Sequence, residues 1–421
     1  MRKSLRIMSL FVVLTTVLSG CINNLDDQTK EEESLAPDEV TVQTTNNQIS
    51  DQYYRAVITD GKYKLAASAS ANTNLHSSKN IKGFEEGLMR ISKSIFPTDQ
   101  YFLQEGQLID EATMTSWVGR ESEDNNEGLN PALPNNEEVE EVDSSESRDP
   151  ADDPENGDES QESGESGESQ EETASADENQ TVVDSPIPPI YLNQIMEKNI
   201  MVEEGDSYRL AGVVLGLSMN SEYQYTDSHG TVYKEEISVG EMRERGKQYA
   251  NIIVGRLRNT EELRSVPIVV GIYSSAPNED NIAGTYVMDG ISREGNSVSD
   301  WAEHNEYRVA LPALDEDSQS DKYTYFDNFS NDIRNFFPNL NGISGDALYI
   351  NDGLAQLNIE IVSQFFQETE ITALTQYVND VASRQLPEGV PIEIKISSVS
   401  GVEAYLTRSG DKGQFQVHIF N

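Results

Sequence analysis

The chain has 421 residues and a formal net charge of −44, and 36% of its residues are hydrophobic. This length predicts two to three domains of about 150 residues each. The acidic balance argues against nucleic acid as a partner, because neutralising phosphates requires clustered Lys and Arg. Since the chain has a single cysteine, no intrachain disulfide can form, and the fold must be held by its core.

Residues 1–20 are typical of a lipoprotein signal peptide. A positively charged segment (residues 2–6) precedes an apolar run (residues 7–18) that is about half of the ~20 residues needed to cross a bilayer. Four residues then follow in the order of a bacterial lipobox: Leu18, Ser19, Gly20 and Cys21. We expect cleavage between Gly20 and Cys21, acylation of Cys21, and anchoring to the extracytoplasmic face of the cell membrane. The alternative is an ordinary secretory signal with a chance cysteine.

Two polar segments are predicted to be disordered. Residues 21–52 form an acidic tether. Residues 121–185 form a spacer with 24 acidic residues, one basic residue (Arg148), Ser-Gly-Glu repeats and almost no aromatic side chains. Such segments cannot bury enough apolar surface to offset the entropy of ordering.

Order is expected to begin near Tyr53 with a strand. Residues 80–96 show a helical rhythm of apolar positions, and Pro97 ends this helix. A strand is expected over residues 100–109, and this part of the chain closes at Arg120.

After the spacer, residues 191–200 are expected to form a short helix and residues 208–219 a strongly apolar strand. Ser238, with Glu241 three residues later, has the spacing of a capping box and marks the start of a further helix. Residues 267–273 then form a predicted strand.

The C-terminal third repeats this order. Residues 325–338 resemble residues 83–97, since both are apolar helical segments that end in Phe-Pro. A hairpin turn at Asn351-Asp352-Gly353, a helix and a Val-Pro-Ile strand (390–396) follow.

We therefore predict an α/β (α+β) fold of two divergent helix-strand-strand-helix-strand units. The first unit covers residues 53–120 and 186–310, with the spacer inserted, and the second covers 311–421. The alternative is that any two α/β stretches share such an order.

Few residues suggest chemistry. The four histidines are scattered, no nucleotide, metal or hydrolase motif occurs, and we expect no metal and no cofactor. One helical region carries a local excess of basic residues: Arg243, Arg245, Lys247, Arg256, Arg258 and Arg264. This candidate patch suggests an anionic partner, whereas the interleaved Glu residues favour an ordinary solvated helix face.

Several segments together resemble the CamS family, lipoproteins of low-GC Gram-positive bacteria described as sex-pheromone precursors. The lipobox and the following segments carry the resemblance: YYRAVITDGKYK, GFEEGLMRISKSIFPTDQYFLQEGQ, SWVGR, EGLNP, PPIYLNQIMEKN and LGLSMNSEYQY. The resemblance spans the chain apart from the tether and the spacer. The family is described as having two related repeats.

The resemblance also implies that a short peptide just before the lipidated cysteine is released and sensed by plasmid-bearing enterococci. The matching residues are Leu14, Thr15, Thr16, Val17, Leu18, Ser19 and Gly20. The two threonines depart from the more uniformly apolar family peptide. The alternative is a discarded signal fragment.

For the folded part we expect a non-catalytic binding role at the envelope, toward a ligand that the sequence does not identify. One alternative is an extracytoplasmic enzyme acting on envelope material, whose site only the fold assembles. In a third interpretation the released peptide is the only biological output.

Overall fold

The computed structural model describes residues 42–45, 48–69, 77–134, 187–205, 207–226, 230–277, 282–313, 321–337, 342–364, 366–411 and 413–420. Residues 41–421 form one compact unit. The fold is mixed α/β, as predicted. The signal peptide, residues 21–41 of the tether and residues 135–185 of the spacer lie outside the described residues.

The first sheet has nine strands, with the order β1-β2-β4-β5-β6-β9-β10-β11 and β3 paired to β2. A separate hairpin, β7-β8, contributes Tyr223 and Tyr225 to the core on one face of this sheet. The strands in chain order are β1 (Val42–Thr44), β2 (Arg55–Thr59), β3 (Lys62–Tyr63), β4 (Phe102–Glu105), β5 (Leu192–Glu204), β6 (Ser207–Asn220), β7 (Glu222–Thr226), β8 (Val232–Glu236), β9 (Ile268–Ser275), β10 (Thr285–Ser292) and β11 (Ser299–Glu303).

Three helices pack on this sheet: α1 (Ser78–Ile95), α2 (Glu111–Val118) and α3 (Val239–Leu257). Each helix begins after a capping residue whose side chain accepts a hydrogen bond from a backbone N–H of the first turn. The capping residues are Ser77 for α1, Asp110 for α2 and Ser238 for α3. The predicted start of α3 at Ser238 is therefore confirmed.

The helices cover opposite faces of the first sheet. Successive residues of a strand point to opposite faces, so Val213 and Val214 of β6 belong to different cores. Val213 packs in the core with α2 and α3, and Val214 packs in the core with α1. Phe84 of α1 is completely buried there, which stabilises the fold by about 1.5–3 kcal/mol.

The second sheet has six strands in sequential order, β12 to β17. Its strands and helices are β12 (Glu306–Leu311), α4 (Thr324–Phe336), β13 (Gly342–Ile350), β14 (Gly353–Val362), α5 (Glu368–Gln385), β15 (Ile392–Ser398), β16 (Gly401–Arg408) and β17 (Gln416–Ile419). Helices α4 and α5 contact each other and share one core on one face of the sheet. The predicted hairpin turn is confirmed, because Asn351 and Asp352 have φ of 49° and 63°, as a type I′ turn requires.

Six consecutive strands of each sheet have the same order and direction. The first series is β4-β5-β6-β9-β10-β11 and the second is β12 to β17. Within each series one pair is parallel, β6 with β9 and β14 with β15, and a helix connects these two strands. The other neighbouring pairs are antiparallel.

The expected equivalence of residues 83–97 and 325–338 is wrong. Helix α1 lies on the face opposite α3, whereas α4 lies on the same face as α5. Helix α2, which the sequence did not predict, has the position in the first series that α4 has in the second. The Phe-Pro pattern led to a wrong equivalence because it indicates only an apolar stripe and the end of a helix. Unrelated amphipathic helices share both features.

The predicted helix at residues 191–200 is also wrong, since these residues lie in β5. This strand is central and buried on both faces, so its polar residues interrupt the period-two pattern. Glu197 accepts hydrogen bonds from the backbone N–H groups of residues 107–109, at 2.8–3.2 Å. Lys198 contacts Glu85 at 2.6 Å and Glu105 at 2.8 Å. Glu197 and Lys198 are therefore satisfied within the fold.

Two expected boundaries are corrected by strand pairing. The tether was expected to reach residue 52, but β1 at Val42–Thr44 already pairs with β2. The second unit was expected to begin at residue 311, but β12 belongs to the second sheet and begins at Glu306.

The spacer was expected to begin at residue 121, but residues 121–134 pack on the fold. Asn130 is completely buried. Its Nδ2 donates to the carbonyls of Val118 (2.7 Å) and Leu192 (2.8 Å), and its Oδ1 accepts from the N–H groups of Tyr191 (2.8 Å) and Leu192 (3.0 Å). One polar side chain therefore joins the end of α2 to the start of β5, which sequence composition does not reveal.

We predict that Asn130→Ala lowers the free energy of unfolding by about 2–4 kcal/mol, because it leaves buried backbone groups without partners. Denaturant unfolding measures the change. Asn126→Ala is the matched control, since Asn126 is exposed in the same segment and should change stability by less than about 0.5 kcal/mol. Equal stability of the two variants would contradict a structural role for residues 121–134.

Candidate binding cleft

A cavity of about 400 Å³ lies between α1 and the face of the second sheet that α4 and α5 leave uncovered. We call it the cleft. Its roof is formed by Lys79, Lys82, Gly83 and Glu86 of α1. Its floor comes from β12 to β16, and the polar floor residues are Arg308, Ser344, Asp346, Asn358, Glu360, Glu393, Lys395 and Tyr405.

Strand alternation explains why the floor is polar. In β15, Ile392, Ile394 and Ile396 are completely buried in the core under α4 and α5, so Glu393 and Lys395 point into the cleft. The same alternation in β14 places Asn358 and Glu360 on the floor. This pattern was visible in the sequence, but it reveals a functional face only when the opposite face is known to be covered.

The register aligns the floor residues in two rows across the strands. One row is Asp346, Asn358 and Glu393. The other is Glu360, Lys395 and Tyr405. Neighbours in a row are separated by the strand spacing of about 4.8 Å, so each row spans about 10 Å.

Three contacts within the floor orient its charged groups. Lys395 lies 2.7 Å from Glu360, and Arg308 Nη1 donates to Asp346 Oδ2 at 2.9 Å. The Tyr405 hydroxyl donates to Glu393 Oε2 at 2.5 Å. Burial, followed by this hydrogen bond to a carboxylate, raises the pKa of Tyr405, so the hydroxyl remains a donor.

Two atoms of the buried Arg308–Asp346 pair have no hydrogen-bond partner among the described residues: Arg308 Nε and Asp346 Oδ1. The Arg308 side chain is only 6% exposed, and that of Asp346 is 18% exposed. Both atoms are shielded from solvent, so they are unsatisfied parts of the buried pair and not groups that the cleft presents to a ligand.

The roof is held close to the first sheet by a glycine. A Cβ at Gly83 would lie 2.7 Å from the Cβ of Ala283 and 3.1 Å from the Tyr273 hydroxyl, so a larger residue would push α1 outward. On the same helix, Lys82 lies 3.5 Å from Glu86.

Beside the cleft, a histidine joins the two sheets. His304 lies between β11 and β12, and its Nε2 is 2.5 Å from Asp289 of β10 while its Nδ1 is 2.9 Å from Glu306 of β12. Arg90 of α1 contacts both carboxylate oxygens of Glu306 at 2.8 Å. We call these four residues the junction cluster. It connects α1, the first sheet and the second sheet.

Hydrogen bonds to Asp289 and then to Glu306 raise the pKa of His304 to about 9, against the opposing effect of burial. Burial alone would raise the pKa of Glu306, but the hydrogen bonds from His304 and Arg90 outweigh it and lower that pKa. Since the folded-state pKa of His304 exceeds its ordinary value of 6.5, its stabilisation is complete below pH 6.5 and is lost as the pH rises to about 9.

The basic residues singled out from the sequence do not form one patch. Arg258 is buried and donates to the carbonyls of Val266, Ser292 and Gly295, so it is unavailable to a partner. Arg243 contacts Glu303 at 2.9 Å, and Lys247 contacts Glu244 at 3.1 Å.

The remaining basic residues are dispersed. Arg245 stacks on Tyr191, and Arg256 stacks on Trp117 and donates to the Glu127 carbonyl at 2.9 Å. Arg264 is exposed after the end of α3. Most of these residues therefore have structural contacts within the fold.

The residues expected to form the lipobox and the released peptide, 14–21, lie outside the described residues. None of the helices that the structure describes is both long enough and apolar enough to cross a membrane. Across the described ranges, no group of three or more His, Cys, Asp or Glu residues is placed to hold a metal ion.

By its fold and its cleft, the chain is a two-sheet α/β protein with a polar cavity between α1 and the second sheet. The family model described as CamS sex pheromone cAM373 precursor matches residues 63–151 and 160–414. The chain therefore belongs to the CamS sex pheromone precursor family, and the resemblance seen in the sequence is confirmed.

Solved structures agree with this assignment. The chain is 32% identical to a sex pheromone precursor from Lactobacillus salivarius subsp. salivarius UCC118, with a TM-score of 0.73, covering 90% of this chain and 99% of that one. It is 24% identical to the C-terminal domain of the sex pheromone staph-cAM373 precursor from Staphylococcus aureus, with a TM-score of 0.60, covering 83% and 99% respectively. The latter likeness shows the fold alone. A search of curated proteins found none that matches this chain.

We predict that the free energy of unfolding falls between pH 6.5 and about 9, because the folded state loses the His304 cation from between two carboxylates. His304→Gln should lower stability by about 2 kcal/mol at pH 6.5 and should remove most of this pH dependence. Denaturant unfolding at several pH values tests both effects. His418→Gln is the control, since His418 is exposed on β17. The same pH profile in wild type and His304→Gln would rule out this role for His304.

Proposed function

We propose that this chain is a lipid-anchored envelope protein whose folded part binds a ligand in the cleft. The observation that supports the proposal best is the cavity of about 400 Å³, whose floor carries charged side chains that contacts within the sheet hold in place. Cavities of roughly 300–1,000 Å³ with a few placed polar groups are typical of small-molecule sites.

The composition of the cleft favours binding over catalysis. Among the described residues that line it there is no histidine and no cysteine. His304 has its two ring nitrogens within hydrogen-bond distance of Asp289 and Glu306, and it is not a lining residue. Nucleophilic catalysis requires a nucleophile and a base within hydrogen-bond reach of each other. The cleft does contain the pair Tyr405 and Glu393, but the raised pKa of Tyr405 disfavours the tyrosinate that a nucleophile would require. The alternative of an envelope-acting enzyme therefore has less support.

The anchor is proposed from the sequence. Leu18, Ser19, Gly20 and Cys21 follow a short apolar run, and acyl chains on Cys21 would hold the protein on the outer face of the cell membrane. Residues 22–41 would act as a tether and residues 135–185 as an acidic spacer, because both segments are polar and rich in Asp and Glu.

The released peptide is a second proposed output. Membership of a family described as pheromone precursors supports the release of Leu14–Gly20 (LTTVLSG) after cleavage at Cys21. The peptide is short and uncharged in its side chains, which suits uptake by a binding protein of another cell.

We further propose that the two sheets arose by duplication of one unit. The support is the shared order of six strands, with helices before the second and the fourth strand of each series. The repeat is then α2-β5-β6-α3-β9 and α4-β13-β14-α5-β15. A superposition of the two series that failed to place β9 on β15 would contradict this proposal.

We predict that Ala310→Trp abolishes ligand binding without unfolding the protein. Ala310 is exposed, lines the cleft and lies opposite Asp346, so an indole there would cover the floor. The soluble mature chain with Cys21→Ala should co-sediment with isolated cell envelopes, and Ala310→Trp should reduce this retention at least about tenfold. Ala67→Trp is the control, because Ala67 is exposed in a loop outside the cleft. Unchanged retention in Ala310→Trp would overturn the proposed role of the cleft.

We also predict that Cys21→Ala abolishes both acylation and peptide release, because the chain has no other thiol to accept the lipid. Mass spectrometry of the protein N-terminus and of the culture medium measures both products. An acylated Cys21→Ala protein would contradict the lipobox. An acylated wild-type protein without LTTVLSG in the medium would contradict the peptide proposal and leave the anchor intact.

A further inference from the structure

We infer that the cleft and the adjoining edge of the second sheet bind a neutral oligosaccharide. This inference rests on the proposed function, since it names the chemical class of the ligand for the same cleft. It follows from the balance of charge in the cleft, from the pairing of its polar groups, and from aromatic side chains that continue its floor.

The charged groups of the cleft balance one another, although the chain as a whole has a net charge of −44. On the floor, Lys395 lies 2.7 Å from Glu360. On the roof, Lys82 lies 3.5 Å from Glu86. The lining has as many basic as acidic side chains: Lys79, Lys82, Arg308 and Lys395 against Glu86, Asp346, Glu360 and Glu393. A cavity with balanced charge offers an ion no net attraction, so it favours a neutral ligand.

The accessible polar groups of the floor suit hydroxyl groups. Lys395 and Glu360 are 41% and 43% exposed, so an ammonium donor and a carboxylate acceptor lie side by side and remain open to a ligand. Asn358 adds an amide, which both donates and accepts hydrogen bonds. A hydroxyl group also donates and accepts at once. A ligand with hydroxyls on neighbouring atoms therefore matches donors and acceptors that alternate over about 5 Å from strand to strand.

Aromatic side chains continue the floor beyond the cleft. His418 of β17 lies directly opposite Tyr405 of β16, so the two side chains are on the same face of the sheet. Phe420 lies on this face too, because it follows His418 by two residues, and the two rings pack edge to face with centroids 4.6 Å apart. Both His418 and Phe420 are exposed. We call Tyr405, His418 and Phe420 the aromatic platform.

The platform and the cleft together fit a chain of sugar rings. The row Glu360, Lys395, Tyr405 and His418 crosses four neighbouring strands, and it spans about 14 Å at the usual strand spacing. A pyranose ring has hydroxyls at its edge and C–H groups on its faces. The edge would bind the paired charges of the floor, and a face would stack on the platform.

Other ligand classes match these features less well. A phosphate-bearing ligand requires an excess of basic groups, which the lining does not have. A peptide with aromatic side chains would stack on the platform, but those side chains present few hydroxyls to the paired charges of the floor. A neutral saccharide uses both surfaces.

Calorimetry on the mature chain carrying Cys21→Ala tests the inference with β-1,4-linked trisaccharides that differ in charge. The neutral probes are cellotriose and triacetylchitotriose. The cationic probe is the deacetylated chitosan trimer, in a buffer acidic enough to keep its amines protonated, and the anionic probe is trimannuronate. At least one neutral probe should bind with a Kd below about 10 mM, and at least about fivefold more tightly than either charged probe.

Two variants separate the platform from the floor. Phe420→Ala should weaken binding of the neutral probe at least about fivefold, because it shortens the platform, and Asn358→Ala should do so by removing the floor amide. Phe366→Ala is the matched control for Phe420→Ala. Phe366 is an exposed phenylalanine in the loop before α5 and is not among the lining residues, so this variant should bind as the parent does.

Three results would overturn the inference: no binding of either neutral probe at about 10 mM, equal affinity for neutral and charged probes, or unchanged affinity in Phe420→Ala. If envelope retention still depends on Ala310 in such a case, the proposed function stands and the ligand is of another class, such as a peptide. If cleft-dependent retention is also absent, both are overturned.

Competition identifies the source of the saccharide. A neutral probe that binds the cleft and also displaces the chain from isolated envelopes assigns the ligand to a wall polymer. A probe that binds without displacing the chain assigns it to a free oligosaccharide.

Discussion

Helix α1 packs on the first sheet and also lies over one face of the second sheet, and the arrangement of the two sheets depends on both contacts. Its apolar stripe, including Phe84 and Leu88, fills the face of the first sheet that α2 and α3 leave open. Its opposite side faces the second sheet. Gly83 permits the close approach to the first sheet, and Arg90 contacts Glu306 at the start of the second. The cleft exists because the apolar side of α1 packs on the first sheet while its polar side lies over the polar face of the second sheet.

The two sheets and the junction between them are stabilised by different forces. The first sheet has an apolar core on each face and the second sheet has one core, whereas the junction relies on directional contacts between charged groups: Arg90 with Glu306, and His304 with Asp289 and Glu306. Apolar burial is insensitive to pH, but the charge of His304 is not. The stability of this junction is therefore expected to depend on the protonation of His304.

The second sheet explains how a polar cavity can arise without a recognisable motif. Helices α4 and α5 cover one face, so its apolar residues are buried, and the other face keeps alternating acids, amides and lysines. Such alternation in β14 and β15 is ordinary for an antiparallel or mixed sheet exposed on one side. It becomes a cavity lining only because α1 stands over it.

The sequence alone determined the features that depend on local chemistry: the start of α3 at Ser238, the turn at Asn351-Asp352 and the Val-Pro-Ile strands. Helix caps, turns and apolar periodicity depend on residues that are close together in the sequence. The family resemblance likewise rests on short segments that occur in a fixed order along the chain. The tertiary structure decided the rest. Strand β5 is buried on both faces, so its sequence lacks the alternation that would identify it as a strand. Residues 121–134 pack on the fold because Asn130 hydrogen-bonds to Leu192 of β5, 62 residues later in the chain. The cleft joins α1 to strands more than 200 residues later in the chain, and only the packing of the helices on particular sheet faces brings them together.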